Sequence, residues 1–138
     1  FNYIPNCPLL EYISNSDNKK FITKNTQFIL TLLKKSGLYK ELNLRDPYNL
    51  KMNLSENANS ISGGQAQRLN ILRTVFEIKN TSKNKIKILA LDEPFKGLDQ
   101  ESKEQCIALL REFSSTSILI THSMEEAEIL CNSIYRII

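Results

Sequence analysis

Two short apolar runs, residues 86–91 and 117–121, end in polar residues and are separated by a segment with helical spacing. Ile88, Leu89, Ala90 and Leu91 lead into Asp92, Glu93 and Pro94, while Ile118, Leu119 and Ile120 lead into Thr121 and His122. Continuous apolar runs this short read as strands buried on both faces, and a proline ends the first one. Between them Cys106, Leu109, Leu110 and Phe113 recur at helical spacing, which predicts a helix over 100–112. A helix over 124–130 and a third strand over 133–138 continue the alternation. Strands alternating with helices predict an α/β fold with a parallel sheet.

Upstream the pattern is helical. Leu69, Leu72, Val75 and Phe76 form one apolar face of a helix over 65–77, entered through the turn-forming residues 60–64. Phe28, Ile29, Leu32 and Leu33 predict another helix over 25–35, stopped by Gly37 after Lys34 and Lys35. Residues 1–20 read as irregular, with one short apolar turn at Leu9, Leu10, Tyr12 and Ile13, and residues 38–60 as loop with a short helix.

Composition removes several classes. At 138 residues, 41% hydrophobic and 24% charged, the chain can bury a core and is neither collagen-like nor wholly disordered. No apolar stretch approaches the roughly 18 residues of a membrane span, and residues 1–10 do not read as a signal peptide. The net charge of +3 is slight, and Lys79, Lys83, Lys85 and Lys87 read as a solvated loop. With no Trp and no aromatic residues among the basic ones, nucleic acid is not an expected partner. Cys7, Cys106 and Cys131 lack disulfide or zinc spacing, so Cys106 and Cys131 read as small buried hydrophobes in a reducing setting.

Three features carry chemistry. Asp92 and Glu93 stand at the carboxyl end of a strand, where ligands bind in open α/β sheets. Adjacent buried carboxylates need a cation or a proton between them, and Mg2+ with phosphate oxygens suits that need; the structural alternative is a helix cap and a surface turn. Ser62, Gly63, Gly64 and Gln65 open a helix whose free N–H groups suit an anion, the alternative being a plain N-cap. His122 ends the neighbouring strand, where it serves either as a surface residue or as a contact to phosphate or an attacking water.

Taken together, these residues resemble the ATP-binding-cassette (ABC) ATPases. Ile61-Ser62-Gly63-Gly64-Gln65-Ala66-Gln67-Arg68 is similar to their signature motif, and residues 88–93 to their Walker B strand with its catalytic Glu. Gly97-Leu98-Asp99 resembles the D-loop and Thr121-His122 the switch histidine, with Glu125-Glu126-Ala127 of the transporter type following. The resemblance implies a partial P-loop NTPase-like sheet with helices over 60–138, the carboxyl-terminal half of a nucleotide-binding domain, preceded by a mostly helical subdomain over 1–59. It also implies that Asp92 helps hold Mg2+, through water, that Glu93 polarises the hydrolytic water, and that His122 senses the γ-phosphate of ATP. Asp99 would couple two nucleotide sites, and Ser62, Gly63, Gly64 and Gln65 would complete the site of an opposite subunit. The implied partners are a second nucleotide-binding domain and transmembrane subunits, at the cytoplasmic face of a membrane.

The sequence departs from the family in one main respect. It contains no G-x-x-x-x-G-K-[ST] loop, the Walker A element whose amides and Lys hold phosphates. Phe1 is not a start methionine, so the expectation is the carboxyl-terminal part of a longer cassette, unable to hydrolyse ATP alone. Smaller departures are Ile61 in place of Leu, and Phe95-Lys96 where small polar residues are common. The competing readings are a soluble cassette ATPase acting on DNA or ribosomes, and a non-catalytic cassette that only pairs with an intact one. The missing heptad run in residues 1–59 and the Thr-His-x-x-Glu-Glu-Ala pattern weigh toward transport.

Overall fold

The computed structural model describes residues 4–45, 50, 52–54, 61–82, 84–85, 87–113 and 116–137. Eight elements run in the order α1 (Leu9–Ser14), α2 (Lys19–Lys35), α3 (Leu38–Glu41), α4 (Gly63–Asn80), β1 (Leu89–Asp92), α5 (Gln100–Phe113), β2 (Ser117–Ile120) and α6 (Met124–Leu130).

The short apolar turn expected near the amino terminus is α1, which buries Leu9 and Ile13 completely. Helix α2 starts six residues before the expected 25, because the Asn18 side chain accepts the Phe21 N–H at 3.1 Å and caps it. It stops at Ser36, and Gly37, at φ 76°, turns the chain into α3. A side chain at Gly37 would be strained by that φ and would meet Gln105 Oε1 at 2.9 Å.

The core lies between helices. Ile29, Leu32 and Leu33 of α2 pack with Leu69, Leu72 and Phe76 of α4 and Leu109 and Leu110 of α5. Phe76 is the aromatic centre: Phe21 meets it edge-on at 6.0 Å, and Phe28 sits between Phe76 and Phe113 at 6.0 and 5.6 Å. Cys106 is fully buried here, and burial pushes its thiol up to about 12, as a small hydrophobe should behave. Cys131 is only partly buried, because α6 lies at the margin of the core.

The sheet is parallel, as expected, with Leu89 opposite Ser117 and Asp92 opposite Ile120. It differs from expectation in two ways. Leu89 is the single buried strand residue; Ile118 and Ile120 are 58% and 59% exposed, because no described element covers their face. Residues 133–137 form no strand, and Tyr135 and Ile137 project into solvent. A strand needs a neighbour to bond to, and no described strand pairs with that segment.

Candidate functional site

The site is built on the carboxyl ends of β1 and β2. The Glu93 N–H donates to the Ile120 carbonyl at 2.8 Å, carrying the ladder one residue past β1. Glu93 then adopts φ 45°, a left-handed conformation that costs an ordinary side chain about 1–2 kcal/mol. Its carboxylate crosses to the end of β2: Oε1 accepts the His122 backbone N–H at 2.9 Å and lies 3.5 Å from the His122 Nε2. The His122 ring is otherwise fully open to solvent. Two residues twenty-nine apart in sequence thus meet through one strand register.

Asp92 does not form the buried acid pair expected of it. Its side chain is exposed while Glu93 is partly buried, since no described element packs over the end of β1 at Asp92. Among the described residues the Asp92 carboxylate has no hydrogen-bonding or ionic partner, and no cluster of three or more metal-ligating side chains is found. A single free hard oxygen donor suits Mg2+ that keeps most of its waters, rather than an all-protein cage.

The loop after Glu93 packs against the start of α4 on its way to α5. Pro94 and Phe95 are buried, so the unusual Phe95 is a core residue. Gln67 of α4 donates from Nε2 to the Pro94 carbonyl at 2.8 Å, fastening α4 to the end of β1. Gly97, at φ 80°, makes the next turn, and a Cβ on Gly64 would meet the Gly97 carbonyl at 3.4 Å. Asp99 caps α5: its carboxylate accepts the Ser102 N–H at 2.8 Å and the Ser102 hydroxyl at 3.2 Å. The Ser102 N–H, then its hydroxyl, holds the Asp99 carboxyl below the usual range.

At the start of α4 Ser62 and Gln65 form a reciprocal capping box, with both bonds at 3.1 Å. Both side chains are therefore engaged within the turn. The amides of Gly63 and Gly64 have no partner within the helix, and the space where a Gly63 side chain would stand is open.

Three side chains given no role in the sequence reading hold this assembly. Gln67 is one. The second is Arg68, 3% exposed, which donates to the Ser36 carbonyl at 3.0 Å and pairs with Glu41. A cation falling on the apolar face that carries Leu69 and Leu72 was the available signal. The third is Glu126, buried beside Thr121 and Lys103.

Hydrogen bonds from Arg68 first, and also from Gln65, hold the Glu41 carboxyl below its ordinary value of 4.5. A depressed carboxyl stabilises the fold above the unfolded value and loses that effect as pH falls through the folded one. Between pH 5 and about 3 the melting temperature should therefore fall less in Glu41→Gln than in the wild type. Equal slopes of melting temperature against pH would show that the pair contributes nothing; Glu41 is 41% exposed, so the difference will be modest.

Parallel strands with acids and a histidine at their carboxyl ends, beside a glycine-started helix, form an α/β arrangement of the kind that places ligands at its strand ends. The chain is a part-length homologue of the ATP-binding subunits of ABC transporters. It is 34% identical over 122 residues to methionine import ATP-binding protein MetN 2 of Pectobacterium atrosepticum, covering 82% of this chain and 33% of that protein. With phosphate import ATP-binding protein PstB of Campylobacter jejuni it shares 33% over 118 residues, 84% of this chain and 39% of that one. With molybdate/tungstate import ATP-binding protein WtpC of Pyrococcus horikoshii it shares 30% over 132 residues, 92% and 35% of the two chains. The chain thus spans about a third of the length of these curated relatives. A bacterial Atm1-family ABC exporter with ATP bound has the same fold over 88% of this chain and 20% of its own, with TM-score 0.62 at 22% identity. No protein-family model matches. No helix among the described residues is long and apolar enough to cross a membrane.

Proposed function

We propose that these residues are the carboxyl-terminal part of an ATP-binding and ATP-hydrolysing subunit of an ABC transporter. The carrying observation is the Glu93 carboxylate bonded to the His122 N–H across two parallel strand ends, next to the signature helix. In this reading residues 1–59 belong to a helical subdomain and 60–138 to the nucleotide-handling half. The exposed faces of Ile88, Ile118 and Ile120 are where the remainder of the domain, including a Walker A loop, packs.

The geometry supports a division of labour among these residues. Glu93 accepts a proton from, or orients, the water that attacks the γ-phosphate, and His122 fixes that carboxylate while its open ring faces the phosphate. Asp92 would hold Mg2+, which when bound neutralises charge on the phosphate oxygens. The free amides of Gly63 and Gly64, aligned by the Ser62–Gln65 box, offer an anion site to the ATP of a second nucleotide-binding domain. Asp99 fixes the D-loop by capping α5 beside that interface. Transmembrane subunits are the remaining partners, and the subunit acts at the cytoplasmic face of a membrane.

In the full-length protein Ser62→Arg should abolish ATP-driven pairing, seen as loss of the ATP-dependent dimer on size exclusion. Affinity for a first ATP should stay within about twofold, since that ATP sits on the subunit's own Walker A loop. A lost first-step affinity would remove Ser62 from the opposite site.

A further inference from the structure

Glu126 is a charged side chain left 6% exposed at the margin of the core, and the proposed chemistry does not use it. Burying a carboxylate costs several kcal/mol unless it is paired and hydrogen-bonded. Both requirements are met here. Lys103 Nζ of α5 lies 3.2 Å from Glu126 Oε1, and the Thr121 hydroxyl donates to Oε2 at 2.7 Å. The direction of that second bond matters. With its proton committed to Glu126, the Thr121 oxygen is left as an acceptor, and it takes the Ser123 N–H at 3.0 Å. The Ser123 hydroxyl in turn accepts the Glu126 N–H at 3.3 Å, closing the turn on α6. His122 lies between these two anchored residues, and its N–H points at the Glu93 carboxylate.

We infer that Thr121 and Glu126 are positioning residues, which lock the 121–123 turn so that the His122 backbone N–H stays on Glu93 Oε1. This rests on the reading of Glu93 as the group that orients the hydrolytic water. The network begins on α5, whose cap is Asp99: the Lys103 N–H donates to the Asp99 carbonyl at 2.9 Å. One chain of bonds therefore joins the D-loop helix to the strand end that holds the acid. A turn that carried only packing would need neither a buried ion pair nor a hydroxyl of fixed polarity.

The test is ATP turnover by the full-length protein. Thr121→Val keeps the side-chain shape and removes both bonds; it should lower kcat roughly tenfold with KM for ATP within about twofold. Thr121→Ser should restore kcat. In a Glu93→Gln background, Thr121→Val should change the residual single-turnover rate by less than about twofold, because its effect passes through Glu93. An unchanged kcat in folded Thr121→Val overturns the inference, as does an undiminished tenfold loss in the Glu93→Gln background. If Thr121→Val does not fold, Glu126→Leu, which removes the acceptor for Thr121 and the Lys103 pairing together, is read in the same cycle against the same limits. Full turnover by Glu93→Gln alone would instead overturn the reading beneath it, so the two failures are distinct.

Discussion

Glu93→Gln in the full-length protein should lower steady-state ATP hydrolysis by about 10²–10⁴-fold, the usual contribution of a positioned base. The exchange is nearly isosteric. The amide oxygen can still accept the His122 N–H, which now stands 2.9 Å from the carboxylate, so the strand ends should stay in place. What is lost is the negative charge and the ability to take a proton. ATP binding should survive, because the groups expected to hold the phosphates and their Mg2+ lie elsewhere: the Gly63 and Gly64 amides and a Walker A loop outside these residues for phosphate, and Asp92 for Mg2+. The variant should therefore accumulate as an ATP-bound pair, visible as a nucleotide-dependent dimer that outlives the wild-type one. Unchanged hydrolysis would remove Glu93 from catalysis and leave its left-handed φ without a functional account. Loss of ATP binding would mean that the carboxylate serves the ground state rather than the attack.

What was legible in the chain follows from how local each signal is. The strands could be read because an apolar run followed by Asp-Glu-Pro or Thr-His admits few other conformations. The parallel pairing followed from the helix between them. Exposure of Ile118 and Ile120 could not be read, since it depends on what covers a face and not on the residues of that face. The same reasoning failed at 133–137, where apolar residues without a bonding neighbour form no strand. Apolar spacing marks α2 only from 25, because Lys19, Lys20 and Thr23 blur its apolar stripe, although Asn18 carries the cap signal.

At the site, residue types marked the candidates but not their supports. Glu93 and His122 stand out as polar residues at the ends of apolar runs, and the strand register explains why they meet. The reverse holds for Ser62 and Gln65, whose side chains turn out to bond each other. In the proposed anion site they would therefore act by aligning two glycine amides. Gln67, Lys103 and Glu126 act across elements distant in sequence, and no periodicity marks such pairs.

Arg68→Ala should destabilise the fold by about 2–4 kcal/mol, the largest stability effect expected of a polar residue here. Three losses combine. The Ser36 carbonyl, on a fully buried residue, loses its donor at 3.0 Å; the Gly64 carbonyl loses a weaker one at 3.5 Å; and a cavity opens beside Leu69 and Leu72. Glu41 loses its cation as well, but it is open enough to water to be rehydrated, which keeps the total below that for a wholly buried pair. Arg68→Lys should recover little, because one ammonium cannot reach the Ser36 carbonyl and Glu41 with the geometry of a planar fork. The check is a urea unfolding midpoint for each variant of the full-length protein, with the slope compared to confirm that the same transition is being followed. A shift under about 0.5 kcal/mol would place Arg68 with ordinary surface substitutions. The effect should also reach the signature turn. Arg68 joins α4 to the α2–α3 corner while Glu41 holds Gln65 Nε2 at 3.3 Å, so removing the guanidinium loosens the Ser62–Gln65 box from its far side. ATP-driven pairing of Arg68→Ala should then weaken even at temperatures where the protein remains folded, whereas first-site ATP affinity should not.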